Sequence, residues 1–422
     1  MSGISNALHL RVEEERSGTE LERAVVFGPG ESGRLWYRVS GDLLPPPLEL
    51  LDSVVPAFLF KAMRERRPLR VHGPVSTRLL ANLEEFQAAW SCWRPGLYRP
   101  VDILPDSEAQ PTASPDDSAV VAFSGGLDSL FSTWRHRTGS PLPRHRDLRA
   151  GVLIHGFEIP LGDGEGFRLA AERARAALAS IGLPLVTVKT NWRPLLCGEW
   201  TDEFGAALAS CLHQLAGAAS AGIVGSDGTY HRLVLPWGSN PLTTRLLGGG
   251  AFEIVYDGAA HRRCEKAAAI CDWPAALTSL RVCWEGPNPG SNCGRCEKCI
   301  RSQLNFLAIG QPVPPAFPVT ASLRDIARLL VPAEAQLVGL TDVLAVARAN
   351  GIAAPWTRAL AIAIARSLAA RPFVPAAHAL RRRLARLPWL RRLYRRVRGR
   401  RRPGQGLAAS VPAPRQPTPT AG

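Results

Sequence analysis

A chain of 422 residues, of which 46% are hydrophobic and 21% charged, is long enough for two or three globular domains. It has no run of 18 apolar residues, and its start lacks the basic and apolar parts of a signal peptide, so we expect neither a membrane-spanning helix nor a secretion signal. Nine cysteines, an odd number, favour reduced thiols and a cytoplasmic protein over a disulfide framework.

Residues 1–117 have the pattern of a small α+β region. Apolar and β-branched residues predict two strands, and residues at helical spacing predict two helices. These elements are expected at 24–30 and 34–41 (strands) and at 56–67 and 77–93 (helices). The stretch 105–118 is rich in Pro, Ser and Asp and has little to bury, so its composition indicates a linker.

Strands and helices alternate in residues 118–310. Strands are expected at 119–123, 149–157, 183–190, 221–226 and 252–258, and helices from about Asp128, at 166–182 and at 202–220. This alternation predicts an α/β domain built on a doubly wound parallel sheet with helices on both faces.

The C-terminal part begins with a helical extension at 311–377, in which we expect three helices. Residues 381–402 contain twelve arginines and no acid, so the rest of the chain carries only +3 of the total charge of +15. Apolar residues between the arginines of 378–402 are typical of an amphipathic segment that binds an anionic membrane surface or nucleic acid, or of a solvated basic tail. The Pro-, Ala- and Thr-rich residues 403–422 are expected to be disordered.

The sequence SGGLDS follows the first strand of the alternating region and precedes a helix. Two adjacent glycines allow a tight turn, and the N–H groups of the turn and of the helix start then form an anion-binding cradle. The predicted binding residues are Ser124, Gly125, Gly126, Leu127, Asp128 and Ser129. Because Asp128 would repel a phosphate, its presence indicates a bridging Mg²⁺ ion.

Four cysteines lie within seventeen residues, in a C-x₉-C-x₂-C-x₂-C arrangement. Thiolates at this spacing predict a tetrahedral Zn²⁺ site with Cys283, Cys293, Cys296 and Cys299 as ligands. Four protein ligands leave no open position, so the zinc would be structural. An iron–sulfur cluster and unpaired core cysteines are the alternatives.

The SGGLDS segment resembles the PP-loop of the ATP pyrophosphatase superfamily, whose domain has the related HUP-like α/β fold. The resemblance covers about residues 119–310 and implies that the loop binds the pyrophosphate end of ATP. With the cysteine cluster, the order of features is similar to that of the zinc-bearing 7-cyano-7-deazaguanine synthases. It implies that Lys266, in RRCEKAAAI, lies near the phosphates and acts with Asp128 in catalysis; a solvated lysine at a helix start is the alternative.

The residues that would hold the substrate depart from that family. In place of its YPDCR-like segment the chain has GSDGTYHRLVLPWGSN, so the deazapurine substrate is not supported. Candidate substrate contacts in this segment are Asp227, Tyr230, Ser239 and Asn240. His155 lies at a strand end, where a parallel sheet opens to its ligand, and is a candidate for the adenine end of ATP; a histidine bonded to backbone is the alternative.

The predicted function is ATP-dependent adenylation of a carboxylate or amide-like oxygen, release of pyrophosphate, and transfer of nitrogen from ammonia or an amine. The resemblance implies ATP, Mg²⁺ and Zn²⁺ as cofactors. One alternative is a PP-loop sulfurtransferase with a reactive thiol at Cys197, Cys211, Cys264 or Cys271. A second is a scaffold or sensor that binds ATP without turnover. The sequence does not define the substrate or the oligomeric state.

Overall fold

A computed structural model describes most of the chain as one α/β structure. The described residues are 6–28, 32–110, 116–138, 145–283, 290–331 and 333–373. The predicted arginine-rich segment 378–402 and tail 403–422 lie outside them, so those two predictions stay open. Within the described ranges, no helix combines the length and the apolar character that crossing a bilayer requires.

Ten strands form one sheet in the described part of the chain, in the order β10-β9-β6-β7-β8-β3-β2-β1-β4-β5. Their bounds are β1 Leu8–Ser17, β2 Glu20–Phe27, β3 Gly33–Ser40, β4 Leu69–Ser76, β5 Ile103–Ala109, β6 Ser118–Ala122, β7 Asp147–His155, β8 Leu185–Thr190, β9 Ala221–Gly225 and β10 Glu253–Asp257. Six of the nine pairings between neighbouring strands are parallel, which confirms an α/β fold with a mostly parallel sheet.

The parallel strands β6 to β10 lie where the sequence predicts them. Counted from β6, their order in the sheet is 3-2-1-4-5, so the winding direction reverses between β6 and β9. In doubly wound sheets, ligands bind beyond the carboxyl ends of the strands at this point of reversal. The turn that follows β6 and the segment that follows β9 therefore occupy the position where such a fold places its ligand.

The N-terminal strands extend the same sheet. Strand β2 pairs antiparallel with both β1 and β3. Strand β3 then pairs antiparallel with β8, with Tyr37 opposite Thr190. Strands β4 and β5 continue the sheet beyond β1 in parallel. The sequence indicates α+β structure in residues 1–117, but the continuous sheet across residue 117 is found only in the structure.

Helices cover both faces of the sheet. Their bounds are α1 Val55–Glu65, α2 Thr77–Trp93, α3 Leu127–Thr138, α4 Gly164–Ala179, α5 Trp192–Leu196, α6 Trp200–Leu212, α7 Arg263–Ala269, α8 Pro274–Ser279, α9 Glu297–Leu307, α10 Leu323–Ala327, α11 Glu334–Ala349 and α12 Pro355–Ala370. Along β6, Val120 packs into the core shared with α1 and α6, whereas Ala119 and Val121 pack into the core shared with α3 and α4. This alternation is the period of two expected of a strand buried on both faces.

The predicted linker 105–118 is only partly a connection. Its first residues belong to β5, which pairs parallel with β4, and Ser118 already begins β6. Composition misleads here because β5 is an edge strand with exposed and half-buried side chains, and such a strand tolerates Pro105 and polar residues. The helical extension contains α10, α11 and α12, as predicted, and α11 packs on α9.

Candidate functional site

The glycine turn, residues Ser124–Ser129, connects β6 to α3. Gly125 has φ +76°, a left-handed conformation that glycine adopts without strain. The carbonyl of Gly125 accepts a hydrogen bond from the Arg281 N–H at 2.8 Å, and the Gly126 N–H donates to Ser124 Oγ at 3.2 Å. Because α3 begins at Leu127, the N–H groups of its first turn have no carbonyl partner within the helix. The predicted turn is therefore present, and beside it lies a helix start of the kind that can bind an anion.

Asp128, in the first turn of α3, bonds to two cations from α7. Its Oδ1 accepts a hydrogen bond from Lys266 Nζ at 2.9 Å, and its Oδ2 accepts one from Arg263 Nη2 at 2.9 Å. The side chain of Lys266 is 1% exposed, and its ammonium also donates to the carbonyl and the hydroxyl of Ser226, which follows β9. Lys266 is therefore not a solvated lysine. It connects Asp128, which follows β6, to Ser226, which follows β9, across the point where the winding direction reverses.

The two cations determine the charge state of Asp128. Burial alone would raise the pKa of its carboxyl, but the charges and hydrogen bonds of Arg263 and Lys266 outweigh that effect and lower the pKa well below its usual range. The carboxyl in turn raises the pKa of Arg263 above its ordinary value despite the burial of the guanidinium. Asp128 and Arg263 are consequently both charged at physiological pH.

Asp227 lies next to this charged cluster, in the segment after β9. It accepts hydrogen bonds from the Trp237 indole N–H and, at 3.4 Å, from the Tyr256 hydroxyl. Burial raises the pKa of Asp227, a shift that Trp237 and Arg263 oppose. The half-buried Trp237 thus orients the Asp227 carboxyl close to the charges of Arg263 and Asp128, and the role of Asp227 as a substrate contact stays a prediction.

The other predicted contacts differ in how accessible they are. The side chain of Tyr230 is exposed, whereas Ser239 and Asn240 are buried. The Asn240 amide bonds within its own loop: it accepts from the Leu242 and Thr243 N–H groups and donates to the Trp237 carbonyl. Asn240 therefore stabilises the loop that contains Trp237. Tyr230 is the most exposed of the four candidate substrate contacts.

His155 is buried at the end of β7. Its Nε2 lies 3.0 Å from the Pro160 carbonyl, and its ring stacks on Phe167 with 4.1 Å between centroids. Burial lowers the pKa of His155, so the neutral imidazole is favoured. These contacts are those of a histidine bonded to backbone, and the proposed role at adenine remains a prediction.

The sulfur atoms of the four predicted cysteine ligands all lie within 4.8 Å of one another. The distance is 3.8 Å from Cys283 Sγ to Cys296 Sγ and 3.9 Å from Cys293 Sγ to Cys299 Sγ. A tetrahedron with zinc–sulfur bonds of about 2.3 Å has edges of roughly 3.8 Å. The described residues therefore hold a ready-made site for one metal ion such as zinc.

Local backbone structure builds this cluster. Gly294 has φ +73°, and a Cβ there would lie 2.4 Å from the Val319 carbonyl oxygen, so the turn between the ligands requires glycine. Cys293 Sγ accepts the N–H of Cys296 at 3.3 Å, and Cys296 Sγ accepts the N–H of Cys299 at the start of α9. Such N–H···S bonds stabilise thiolates and orient the sulfurs toward one point.

One short segment connects the cysteine cluster to the glycine turn. Arg281 lies two residues before Cys283, and besides its backbone bond to Gly125 its Nε donates to the Ser124 carbonyl at 3.3 Å. On the other side, the Cys283 N–H donates to Asn292 Oδ1, one residue before the ligand Cys293. The segment 281–283 thus contacts the glycine turn through Arg281 and supplies Cys283 to the cysteine cluster.

The four candidate sulfur carriers outside the cluster, Cys197, Cys211, Cys264 and Cys271, all have raised thiol pKa values. Burial and the neighbouring Glu203 raise the pKa of Cys197 to about 11, and burial raises the pKa of Cys264 to about 12. Burial also raises the pKa of Cys211 and of Cys271. A thiol with a raised pKa forms little thiolate near neutral pH, and thiolate is the reactive form.

Sequence reasoning missed three residues of the site: Arg263, Ser226 and Arg281. Arg263 precedes Lys266 by three residues, which places both on one side of a helix, so this spacing could have identified it. Ser226 and Arg281 each contribute a backbone group as well as a side chain to the site, and neither stands in a spacing that identifies it in the sequence.

Comparison with protein-family models gave no match, and comparison with curated proteins and with solved structures found no similar protein.

Proposed function

We propose that this protein is an ATP-dependent ligase that activates a carboxylate or amide-like oxygen of its substrate by adenylation. The substrate oxygen attacks the α-phosphorus of ATP, and the bond to the β-phosphate breaks to release pyrophosphate. Ammonia or an amine then attacks the activated carbon, forms the carbon–nitrogen bond and expels AMP, while its proton leaves to solvent. The PP-loop resemblance of SGGLDS is the starting point for this proposal.

One observation carries the proposal: a glycine turn, a helix start and two cations meet where the order of the parallel strands reverses. The turn follows β6, Ser226 follows β9, and Lys266 joins them through its bonds to Asp128 and Ser226. A polyphosphate placed there would face the N–H groups of the α3 start and the positive charge of Arg263 and Lys266. These are groups that stabilise a leaving pyrophosphate.

The chain's residues have distinct roles in this proposal. The glycine turn binds the β,γ-phosphates through its backbone and through the hydroxyls of Ser124 and Ser129, which lie 3.5 Å apart. Arg263 and Lys266 offset the charge that develops on pyrophosphate as it leaves. Asp128 is the carboxylate that fits Mg²⁺, an ion that would neutralise phosphate charge there. Asp227 and Trp237 are placed to contact the substrate beside the turn.

The cysteine cluster fits a structural zinc ion in this proposal. All four sulfurs are close enough to bind one ion, whereas the cysteines of an iron–sulfur cluster are shared among two or four irons, which requires some of the sulfurs to be more widely separated. Bound zinc would join Cys283 to α9 and so fix the segment that carries Arg281. This role is mechanical, and the chemistry takes place at the turn.

The raised thiol pKa values count against the sulfurtransferase alternative. That reaction needs a thiolate outside the metal site to carry sulfur. The four candidate cysteines all have thiols that resist ionisation. The scaffold alternative differs from the ligase only in turnover, so the experiment must measure products.

The test uses ATP labelled on the α- or the γ-phosphate, with Mg²⁺, ammonium and a panel of carboxylic-acid metabolites. We expect the α-label to appear in AMP and the γ-label in pyrophosphate. Asp128→Ala should lower turnover by about a hundredfold, the scale seen when one transition-state charge contact is lost. Asp147→Ala, which removes an exposed carboxylate from the start of β7, is the matched control.

Release of the γ-label as free phosphate, in a preparation free of pyrophosphatase, would contradict cleavage between the α- and β-phosphates. ATP binding without any product across the whole panel would favour the scaffold instead.

A further inference from the structure

The carboxylate of Asp128 is bonded to Arg263 and Lys266, the two cations that a bound phosphate group would contact. Each of its oxygens accepts one hydrogen bond of 2.9 Å, one from Lys266 and one from Arg263. An ammonium has three donors, and those of Lys266 go to Asp128 and to the carbonyl and hydroxyl of Ser226. An incoming anion must therefore either compete with Asp128 or bind without the full strength of these cations.

The arrangement also explains how Lys266 is buried. An unpaired ammonium at 1% exposure would be strongly destabilising, and the carboxylate compensates for its charge. Arg263 is the accessible member of the pair, with 28% of its side chain exposed, and Asp128 is 20% exposed. A ligand that approaches the turn from solvent consequently meets Arg263 and Asp128 together, with Lys266 behind them.

We propose that Asp128 is an internal counter-ion that keeps Arg263 and Lys266 in place in the unliganded protein, and that the β,γ-pyrophosphate of ATP replaces its carboxylate on these two cations. The proposal rests on the proposed ATP site and adds that Asp128 keeps the two cations of this site in position before ATP binds. Binding is then an exchange of one anion for another, with the two cations kept in position throughout. Mg²⁺ should favour the exchange, because the released carboxylate becomes available to it.

The counter-ion role makes Asp128 an inhibitor of pyrophosphate binding when Mg²⁺ is absent. Replacing its charge with a neutral amide should therefore strengthen binding under that condition. A residue that only supplied a metal ligand, or only supported the fold, would weaken binding or leave it unchanged when replaced. The sign of the effect thus separates the counter-ion role from these two roles.

The experiment titrates inorganic pyrophosphate into the full-length protein by calorimetry, in buffer without divalent cations and again with Mg²⁺. Without Mg²⁺, we expect Asp128→Asn to bind pyrophosphate at least about tenfold more tightly than the unmodified protein, because a like charge in contact with the ligand is gone. Mg²⁺ should tighten binding to the unmodified protein and have little effect on Asp128→Asn. Asp147→Asn removes a charge from the exposed start of β7 and should behave as the unmodified protein does.

A second variant keeps the test decisive if Asp128→Asn does not fold. Arg263→Gln should weaken pyrophosphate binding at least about tenfold in the presence of Mg²⁺, while Arg168→Gln, on the exposed face of α4, should not. Equal or weaker binding by Asp128→Asn without Mg²⁺, or unchanged binding by Arg263→Gln, would overturn the counter-ion proposal alone. If pyrophosphate binds to no form of the protein in either buffer, the proposed ATP site fails as well.

Discussion

The glycine turn and the cysteine cluster are adjacent, yet they are assembled in opposite ways. The four cysteines lie within residues 283–299, and their geometry comes from local turns and the start of α9. The charged groups around the turn come from positions 128, 226, 263 and 266, which only the sheet topology brings together. A cluster built locally can be recognised from spacing, whereas a site built by topology requires the fold.

The two regions also differ in how they are stabilised. At the turn, the charges of Asp128, Arg263 and Lys266 compensate one another within the protein. In the cysteine cluster, hydrogen bonds from Cys296 and Cys299 lower the pKa of Cys283, whereas the same bonds to Cys283 raise the pKa of Cys296 and Cys299, so four thiolates can form together only around a bound cation. We therefore expect changes in the cluster to affect folding and changes at the turn to affect ligand binding.

The largest effect is expected for Cys296→Ser. Structural zinc contributes roughly 10 kcal/mol or more of binding free energy to a folded state, so removing one ligand should abolish metal binding and greatly reduce soluble protein. Metal analysis should give about one zinc per unmodified chain. Cys92→Ser, at an exposed cysteine outside the cluster, is the control and should retain both zinc and stability. Full zinc content and an unchanged melting temperature in Cys296→Ser would show that the cluster is not a metal site.

A smaller effect is expected for Gly125→Ala. At φ +76° a side chain costs about 1–2 kcal/mol, so the free energy of unfolding should fall by that amount and the turn should bind pyrophosphate less tightly. Gly162→Ala is the matched control, because it has an ordinary φ and no atom within 4 Å of the new Cβ. Denaturant titration measures the difference between the two variants. Equal stability would mean that the turn does not keep its left-handed residue in solution.

The smallest effect is expected for thiol modification, which should leave stability unchanged. With iodoacetamide near neutral pH, Cys92 should react first because it is exposed. Cys197 and Cys264 should react slowly in the folded protein, because their raised pKa values leave little thiolate. Peptide mass spectrometry after brief exposure measures the order. Rapid modification of Cys197 would restore it as a candidate sulfur carrier.

The sequence predicted the parallel half of the sheet better than the N-terminal half. Strands β6 to β10 are apolar runs bounded by turn residues, a pattern typical of strands buried on both faces. Strand β1 was missed because its outer residues are acidic, and β4 because it contains a Gly-Pro pair that usually marks a turn. The pairing of β3 with β8 consists of backbone hydrogen bonds, which leave no signature in side chains.

In the candidate site, too, only the parts that depend on local sequence patterns could be predicted. The turn and the four cysteines were predicted because each depends on neighbouring residues with restricted geometry. Lys266 was assigned to the site only through a resemblance, and its burial against Ser226 could not be predicted from an amphipathic pattern. Arg281 acts mainly through its backbone N–H, a group that every residue except proline has.

The junction between β3 and β8 has a consequence for synthesis on the ribosome. Tyr37 pairs with Thr190, so 153 residues must be made after Tyr37 before its partner residue exists. At 5–20 residues per second, this open strand edge waits for roughly 8 to 30 seconds. Strand β3 carries Arg34 and Arg38, and charged side chains of this kind keep an unpaired edge from joining another chain. These two arginines therefore protect the nascent chain as well as forming ion pairs with Glu22 in the finished sheet.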